Sequence, residues 1–504
     1  MSAGILKPLD WFVVFLYLGV IVWLGARFAR RQVSSGHYFL GSGRLPGWAV
    51  GMSMFATIIS SWAFLALPGK AFGSDLQYLM AVAAVPVVTW ISVRWIIPIF
   101  RGKIRLSAYE YLETRFGRIA RAYGNLAFLI VHFGKMAAIL YLLCLALAEM
   151  TGWSIFLLIA LIGAATVAYT FVGGIEGVVW TDVVQGGLLL FGGLLSIGFI
   201  FLQAPGGAGA VLETAWEGGK FRLAAGGFEW NRLGAVVLVC FGFNFYLQKY
   251  VADQTVVQRY LVAGSARGAA GALWMSSWVI LFVWILFMGL GALLWSFYEL
   301  RPDLLPEVTR STPDKVYPFF IGHQLPAGIS GLVLSGLVAA TMSTLSSDLN
   351  SLSAVVLDDY CRKLKPGGSD RRDLVTSRSI VVLAGVLGVA LAMGMTRIHS
   401  MADAALNFVS IVGGGVLGMF LLGLTVPKCT ARNLHWGLIA GLLVILWGFF
   451  GRSGPSTPSW LPVFPLHPLW IGLLGNAVVY TVGLLATLLF GSGRSEPSLT
   501  SERS

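Results

Sequence analysis

The chain has 504 residues, of which 57% are hydrophobic and only 12% charged, with a mean hydropathy of +0.79. Soluble proteins carry about 25% charged residues, so this chain has too few charges to cover a water-facing surface of its size. That excludes a soluble enzyme, a disordered protein and a secreted scaffold, and leaves an all-α, polytopic membrane protein with the lipid bilayer as its first partner. The net charge of +12 reads as basic loops on the cytoplasmic side, not as nucleic-acid binding. Cys144, Cys240, Cys361 and Cys429 show no CxxC spacing and read as free thiols.

A helix needs about 20 apolar residues to cross the hydrocarbon. The hydropathy pattern predicts thirteen such helices, at 9–29, 45–68, 76–99, 122–149, 153–171, 178–203, 231–250, 268–298, 326–359, 379–397, 401–425, 435–452 and 466–490. The first has a long apolar run, no small-residue cleavage site and a basic flank behind it, so it reads as a retained span and not as a signal peptide.

The loops set the orientation. The segment after the first span carries Arg27, Arg30, Arg31 and Arg44. The loop after the third carries Arg101, Lys103, Arg105, Arg115, Arg118 and Arg121. The loop after the ninth carries Arg362, Lys363, Lys365, Arg371, Arg372 and Arg378. Alternate loops are poorer, with Lys70 alone after the second span. A count of about 22 Lys and Arg on one side against about 10 on the other places the N-terminus outside and the C-terminus inside. The outer segments 204–230 and 299–325 are long enough to hold short helices, and the polar tail after Gly491 reads as disordered. No soluble catalytic domain is appended.

Function is most legible where the apolar pattern breaks, because a charge at the bilayer centre costs at least about 2.5–3.5 kcal/mol and therefore faces a partner, water or a substrate. The ninth span carries Ser343, Thr344, Ser346, Ser347, Asp348 and Asn350. Ser343, Ser346, Ser347 and Asn350 recur at spacings of three and four and share one helical face. Hydroxyl oxygens suit a hard monovalent cation such as Na⁺; the alternative use of such residues is to glue helices together. The second span holds Phe55-Ala-Thr-Ile-Ile-Ser-Ser-Trp62 and closes at Pro68-Gly69, a sequence that weakens a helix. Unwound backbone at membrane depth is tolerated only where its carbonyls line a site. After Gly173-Gly174, Asp182 and Gln185 fall one turn apart at the start of the sixth span. Asp182 reads either as the counter-charge of a second cation or as the partner of a basic loop residue. Lys135 in the fourth span reads as a substrate contact or as a structural ion pair with Asp182 or Asp348. His132, one turn away, reads as a helix-packing residue.

These residues resemble the sodium:solute symporter family over about 10–490. The runs Gly173-Gly-x-x-x-Val-x-Trp-Thr-Asp-Val-x-Gln185 and Ala340-x-x-Ser-Thr-x-x-Ser-x-x-Asn350 are similar to its two signatures, and Ser107–Glu113 and Gln254–Tyr260 look like further landmarks. Among branches, the bacterial sialic acid symporters are the most similar. The resemblance implies an inverted five-plus-five repeat of the amino-acid-transporter type: 45–203 and 231–425 as the two halves, with an extra helix and linker at 1–44, an outer loop at 204–230, two extra helices at 426–490 and a tail at 491–504. It implies one Na⁺ site from backbone oxygens of Ala56, Ile59 and Ala340 with the hydroxyls of Ser343 and Thr344. It implies a second Na⁺ site at Asp182, Ser343, Ser346 and Ser347. The implied substrate positions are Ile58, Ser60, Ala63, Tyr78, Val82, Lys135 and Tyr250. Lys135 stands where the branch has Arg, so the charge is kept and the bidentate fork lost. Ile58, Ala63 and Val82 make the pocket more apolar than that of the branch.

The expectation is a functional monomer in a bacterial inner membrane, a secondary active transporter and not an enzyme, importing a small organic solute by Na⁺-coupled symport. An anion such as a sialic acid or related sugar acid is the first candidate, and a neutral sugar or a monocarboxylate the alternative. A channel lacks a repeated filter motif here, a membrane enzyme lacks any recognisable catalytic constellation, and a sensor lacks an output domain.

Overall fold

The computed structural model describes residues 6–29, 32–41, 43, 45–224, 227–365, 367–396, 414–451 and 460–490. Among them the regular elements are helical, and the only β pairing is one isolated bridge between Leu45 and Ala263. Ten helices are long and apolar enough to cross a bilayer, and one bent pair makes an eleventh span. In chain order they are α1 (Pro8–Arg27), the bent pair α2 (Gly47–Ile58) and α3 (Ser61–Gly73), α4 (Gln77–Lys103), α5 (Arg118–Thr151), α6 (Ile155–Gln203), α7 (Ala235–Ala252), the short α8 (Gln254–Val262), α9 (Ala266–Leu300), α10 (Ile329–Leu364), α11 (Asp370–Met395), the shorter apolar α12 (Val416–Thr425), α13 (Ala431–Phe450) and α14 (Trp470–Phe490).

The eleven spans among the described residues stand against thirteen predicted. The predicted spans 153–171 and 178–203 both lie in α6, whose 49 residues are far longer than one crossing needs. A break at Gly174 divides it, with φ 55° and ψ −161° inside otherwise helical backbone. Only glycine fits there: a Cβ would meet Gln32 Oε1 and Tyr38 at 2.9 Å. Of the predicted span 401–425, residues 401–413 lie outside the described residues, as do Arg30, Arg31, Arg44 and the tail 491–504.

Helix α10 is the axis of the fold. From Ser330 to Val355 nearly every residue is buried, and the helix packs against α6, α1, α11 and α5. Because protein encloses it on all sides, its polar residues face other helices and not lipid. Its N-terminus is closed from a distance in sequence. Asp10 Oδ1 on α1 accepts from the amides of Gly328 (2.7 Å) and Gly331 (2.9 Å), satisfying donors that a helix start leaves free.

Two spans are interrupted. Between α2 and α3 the bend is 63°, and Ile59 and Ser60 are extended. Ser60 Oγ then caps α3 by accepting from Trp62 N at 3.3 Å. Between α7 and α8, Asp253 is extended, and its Oδ1 caps α8 by accepting from Thr255 N (2.9 Å) and Thr255 Oγ1 (2.6 Å). The hydropathy pattern predicts a seventh span ending at 250 and the next starting at 268, so α8 between them is a correction. At nine residues and low mean hydropathy, it carries no signal that a membrane-length window detects.

Candidate functional site

The first break exposes backbone oxygens. Had α2 continued, Ala56 O would accept from the amide of residue 60 and Ile59 O from that of Ala63. The bend removes both bonds, and Ala63 N turns to Ser60 O instead (3.0 Å). Facing these freed carbonyls on α10, Ser343 Oγ donates to Ala56 O (2.9 Å) and Ala340 O (3.1 Å). Thr344 Oγ1 lies 3.1 Å from Ala340 O and 3.5 Å from Ile59 O. The structure therefore gathers all five predicted oxygens of the first site in one knot, buried from solvent. Three carbonyls and two hydroxyls form a hard-oxygen set without formal charge, and the C-terminal end of α2 adds negative potential.

The second group centres on Asp182. Its Oδ2 accepts from Ser53 Oγ (2.6 Å) and from Arg259 Nη2 (3.1 Å), and both ends of the Asp182–Arg259 pair are fully buried. Arg259 also donates through Nε to Ser53 Oγ (2.8 Å) and through Nη2 to Ser347 Oγ (2.6 Å). Thr57 Oγ1 completes the ring, 2.8 Å from Ser347 Oγ. The structure thus links Asp182 and Ser347 through a guanidinium, while Ser346 Oγ donates to Ser343 O (3.0 Å). No hydrogen bond joins Asp182 to Ser343 or Ser346 among the described residues, and Asp182 Oδ1 is buried without a partner there. Asp182 does pair with a basic residue outside the predicted spans, Arg259, which lies in α8.

A third group connects three helices. Asp348 Oδ1 on α10 takes Lys135 Nζ and His132 Nδ1 from α5, each at 2.8 Å. His132 Nε2 lies 3.4 Å from Asp253 Oδ2 at the α7–α8 break, which also takes Lys249 Nζ at 2.5 Å. The result is a chain Lys135–Asp348–His132–Asp253–Lys249. His132 packs its ring on Phe128 (4.1 Å between centroids) and adds polar contacts at both ring nitrogens. It bridges two buried carboxylates that are 95 positions apart in sequence. Asp348 follows Thr344 by one helical turn, so the chain begins beside the first oxygen cluster.

A cavity of about 350 Å³ opens against this chain. Lys135, His132, Lys249 and Asp253 line it, with Asn244, Gln248 and the rings of Phe128, Phe241 and Phe245. Of the seven predicted substrate positions, Lys135 alone is on this lining. Ile58, Ser60 and Tyr78 are half-buried around the α2–α3 break and the start of α4. Ala63 and Val82 are buried. Tyr250 has no exposure, and its hydroxyl lies 3.2 Å from Ser277 Oγ. Sequence reasoning missed Ser53, Lys249, Asp253 and Arg259. The last two stand between the predicted spans, where charge is unremarkable. The available signal was that 251–260 combines charges with an apolar run.

Buried oxygen clusters beside two helix breaks, an enclosed ionic chain and a solute-sized cavity within a helical bundle define a secondary transporter and not an enzyme. Residues 38–441 match the sodium:solute symporter family, and the chain belongs to that family. It is 34% identical to the sodium/sialic acid symporter NanT of Aliivibrio fischeri, over 97% of this chain and 95% of that one. It is 32% identical to the sodium/sialic acid symporter SiaT of Proteus mirabilis, over 98% of both. Among solved structures it is similar to the substrate-bound outward-open state of a Na⁺-coupled sialic acid symporter, with a TM-score of 0.88 and 31% identity over 98% of this chain and all of that one. The protein is thus a Na⁺-coupled symporter of a small solute in a membrane.

Proposed function

We propose that the solute is a small organic anion, with a sialic acid or related sugar acid first, and that the bacterial inner membrane is its place of work. The observation that carries this is Lys135, a half-buried ammonium on the wall of the cavity, paired with Asp348, which lies one helical turn after Thr344 of the first oxygen cluster. The names of the two bacterial relatives support the same class.

The first Na⁺ lies among Ala56 O, Ile59 O, Ala340 O, Ser343 Oγ and Thr344 Oγ1. Bridging the α2 break to α10, it holds one arrangement of the two, and only such a differential affinity couples ion to conformation. The unpartnered Asp182 Oδ1 supports a second ion beside Ser343, Ser346 and Ser347. Each charge moved down 100 mV supplies about 2.3 kcal/mol, so two ions permit steeper accumulation than one.

The finer architecture is thirteen helices with an inverted five-plus-five repeat. Its support is that each half, 45–203 and 231–425, opens with an interrupted helix, α2–α3 in one and α7–α8 in the other. Broken helices in corresponding positions of two halves are what such repeats use to build midplane sites. The N-terminus is outside and the C-terminus inside, and the protein works as a monomer.

The test is uptake of N-acetylneuraminate into proteoliposomes under an inward Na⁺ gradient. Saturable uptake abolished when K⁺ replaces Na⁺ is expected. Na⁺-driven uptake of a neutral sugar, with none of the acid, would replace the anion by the neutral alternative.

A further inference from the structure

We infer that Lys249 is a second anion-holding residue, and that Lys135 and Lys249 together take the carboxylate end of the solute in the cavity between α5 and α7. This rests on the organic-anion reading above and specifies its site.

The argument starts from donors. An ammonium has three N–H groups and no acceptor. Lys135 places one on Asp348 and Lys249 places one on Asp253. The two side chains are only 20% and 17% exposed, and that exposure is toward one cavity. Each ammonium therefore keeps two donors for whatever enters. A single lysine cannot give a carboxylate the two parallel bonds of an arginine fork. Two lysines on facing helices provide that number of donors from separate stems.

The charges balance only if a cation accompanies the solute. Lys135 and Lys249 are offset by Asp348 and Asp253, so these four side chains carry no net charge. A monocarboxylate adds one negative charge, which one Na⁺ at the Ser343–Thr344 cluster, a turn from Asp348, neutralises. The solute carboxylate also competes with Asp253 for Lys249. Asp253 is the extended residue between α7 and α8 and the cap of α8, so loading the cavity loosens a bond at that break. Lys249 thus connects solute binding to the helix break at Asp253, whereas Lys135 sits in the middle of continuous α5. The rest of the lining suits a sugar acid: the amides of Asn244 and Gln248 for hydroxyls and the rings of Phe241 and Phe245 for C–H faces.

The experiment is thermal unfolding of the full-length protein in detergent, in NaCl and in KCl. The probes are N-acetylneuraminate, D-glucuronate and 3-phenylpropionate, each against a neutral counterpart: N-acetylmannosamine, D-glucose and 3-phenylpropanamide. The variants are Lys249→Gln, Lys249→Arg and the double variant Lys249→Gln with Asp253→Asn, which leaves no unpaired buried charge if the single variant fails to fold. At least one acid is expected to stabilise the wild type in NaCl while its counterpart does not. Lys249→Gln, or the double variant, is expected to weaken that acid by about tenfold or more, the scale of one lost charge-assisted bond, with Lys249→Arg recovering most of it. Stabilisation by NaCl alone is expected to persist in the variants. Wild-type acid affinity in Lys249→Gln or the double variant overturns the assignment, as does equal binding of acid and counterpart or no response to any acid. Equal stabilisation of the wild type by NaCl and KCl instead sinks the Na⁺ reading beneath it.

Discussion

Arg259 Nη2 lies 3.1 Å from Asp182 Oδ2, and neither side chain has any solvent exposure. A buried pair costs its desolvation when both partners are present, but removing one leaves a bare charge, worth about 3–5 kcal/mol of destabilisation. Arg259→Ala is therefore expected to lower the thermal unfolding temperature far more than loss of a surface charge. Asp182→Asn keeps the shape and the Ser53 contact but leaves the Arg259 guanidinium without its counter-charge, so it is expected to fold with lowered stability while reducing the number of coupled ions. The charge-to-solute ratio in proteoliposomes measures this, and an unaltered ratio in Asp182→Asn removes the second ion from Asp182.

Ser343→Ala and Thr344→Ala each delete one hydroxyl from the five-oxygen cluster and leave the backbone carbonyls in place. Losing one of five ligands is expected to raise the half-saturating Na⁺ concentration by about tenfold, the scale of one polar contact to a charge. Solute affinity at saturating Na⁺ should change much less. Sodium activation curves that coincide with wild type in both variants would remove the ion from this cluster.

Lys135→Ala leaves Asp348 with His132 as its remaining close partner. The protein is expected to fold with lowered stability and to lose uptake of the anionic solute, whereas Lys135→Arg should retain it because the charge remains. Normal uptake by a folded Lys135→Ala protein would make Lys135 purely structural.

Gly242 brings α7 against α4 so closely that a Cβ would collide with the Ala81 carbonyl. Gly242→Ala is expected to destabilise by about 1–3 kcal/mol, as overpacking of tight interiors does. It should also slow transport, because α7 carries one cavity wall. A wild-type unfolding temperature would show that α4 and α7 separate without cost.

Much of the site was legible because its chemistry is local in sequence. Ser343, Thr344, Ser346 and Ser347 sit in one helical stretch, and the Ala56–Ile59 segment announces its own weakness through β-branched and hydroxyl residues. Arg259 and Asp253 were not legible. Their helix α8 is too short and too polar for a hydropathy window, and their partners Asp182 and His132 lie 77 and 121 positions away. His132 shows the same limit from the other side: one apolar-flanked histidine in a span looks like packing until a carboxylate is found at each nitrogen.

The opening arithmetic, 57% hydrophobic and 12% charged, determined by itself that the chain lives in a membrane. It also singled out the few polar residues at depth as candidates, since hydrocarbon penalises each of them unless it has a partner, water or a substrate. Its signatures gave the family. Only the tertiary structure decided which charge pairs with which: Arg259 with Asp182, and Lys135 with Asp348. It likewise decided that Lys249 shares a cavity with Lys135. Pairing of that kind is set by how helices cross. Crossing is fixed by close approaches such as Gly242 of α7 against α4 and Asp10 of α1 against α10, which join segments far apart in the chain and leave no periodicity in either.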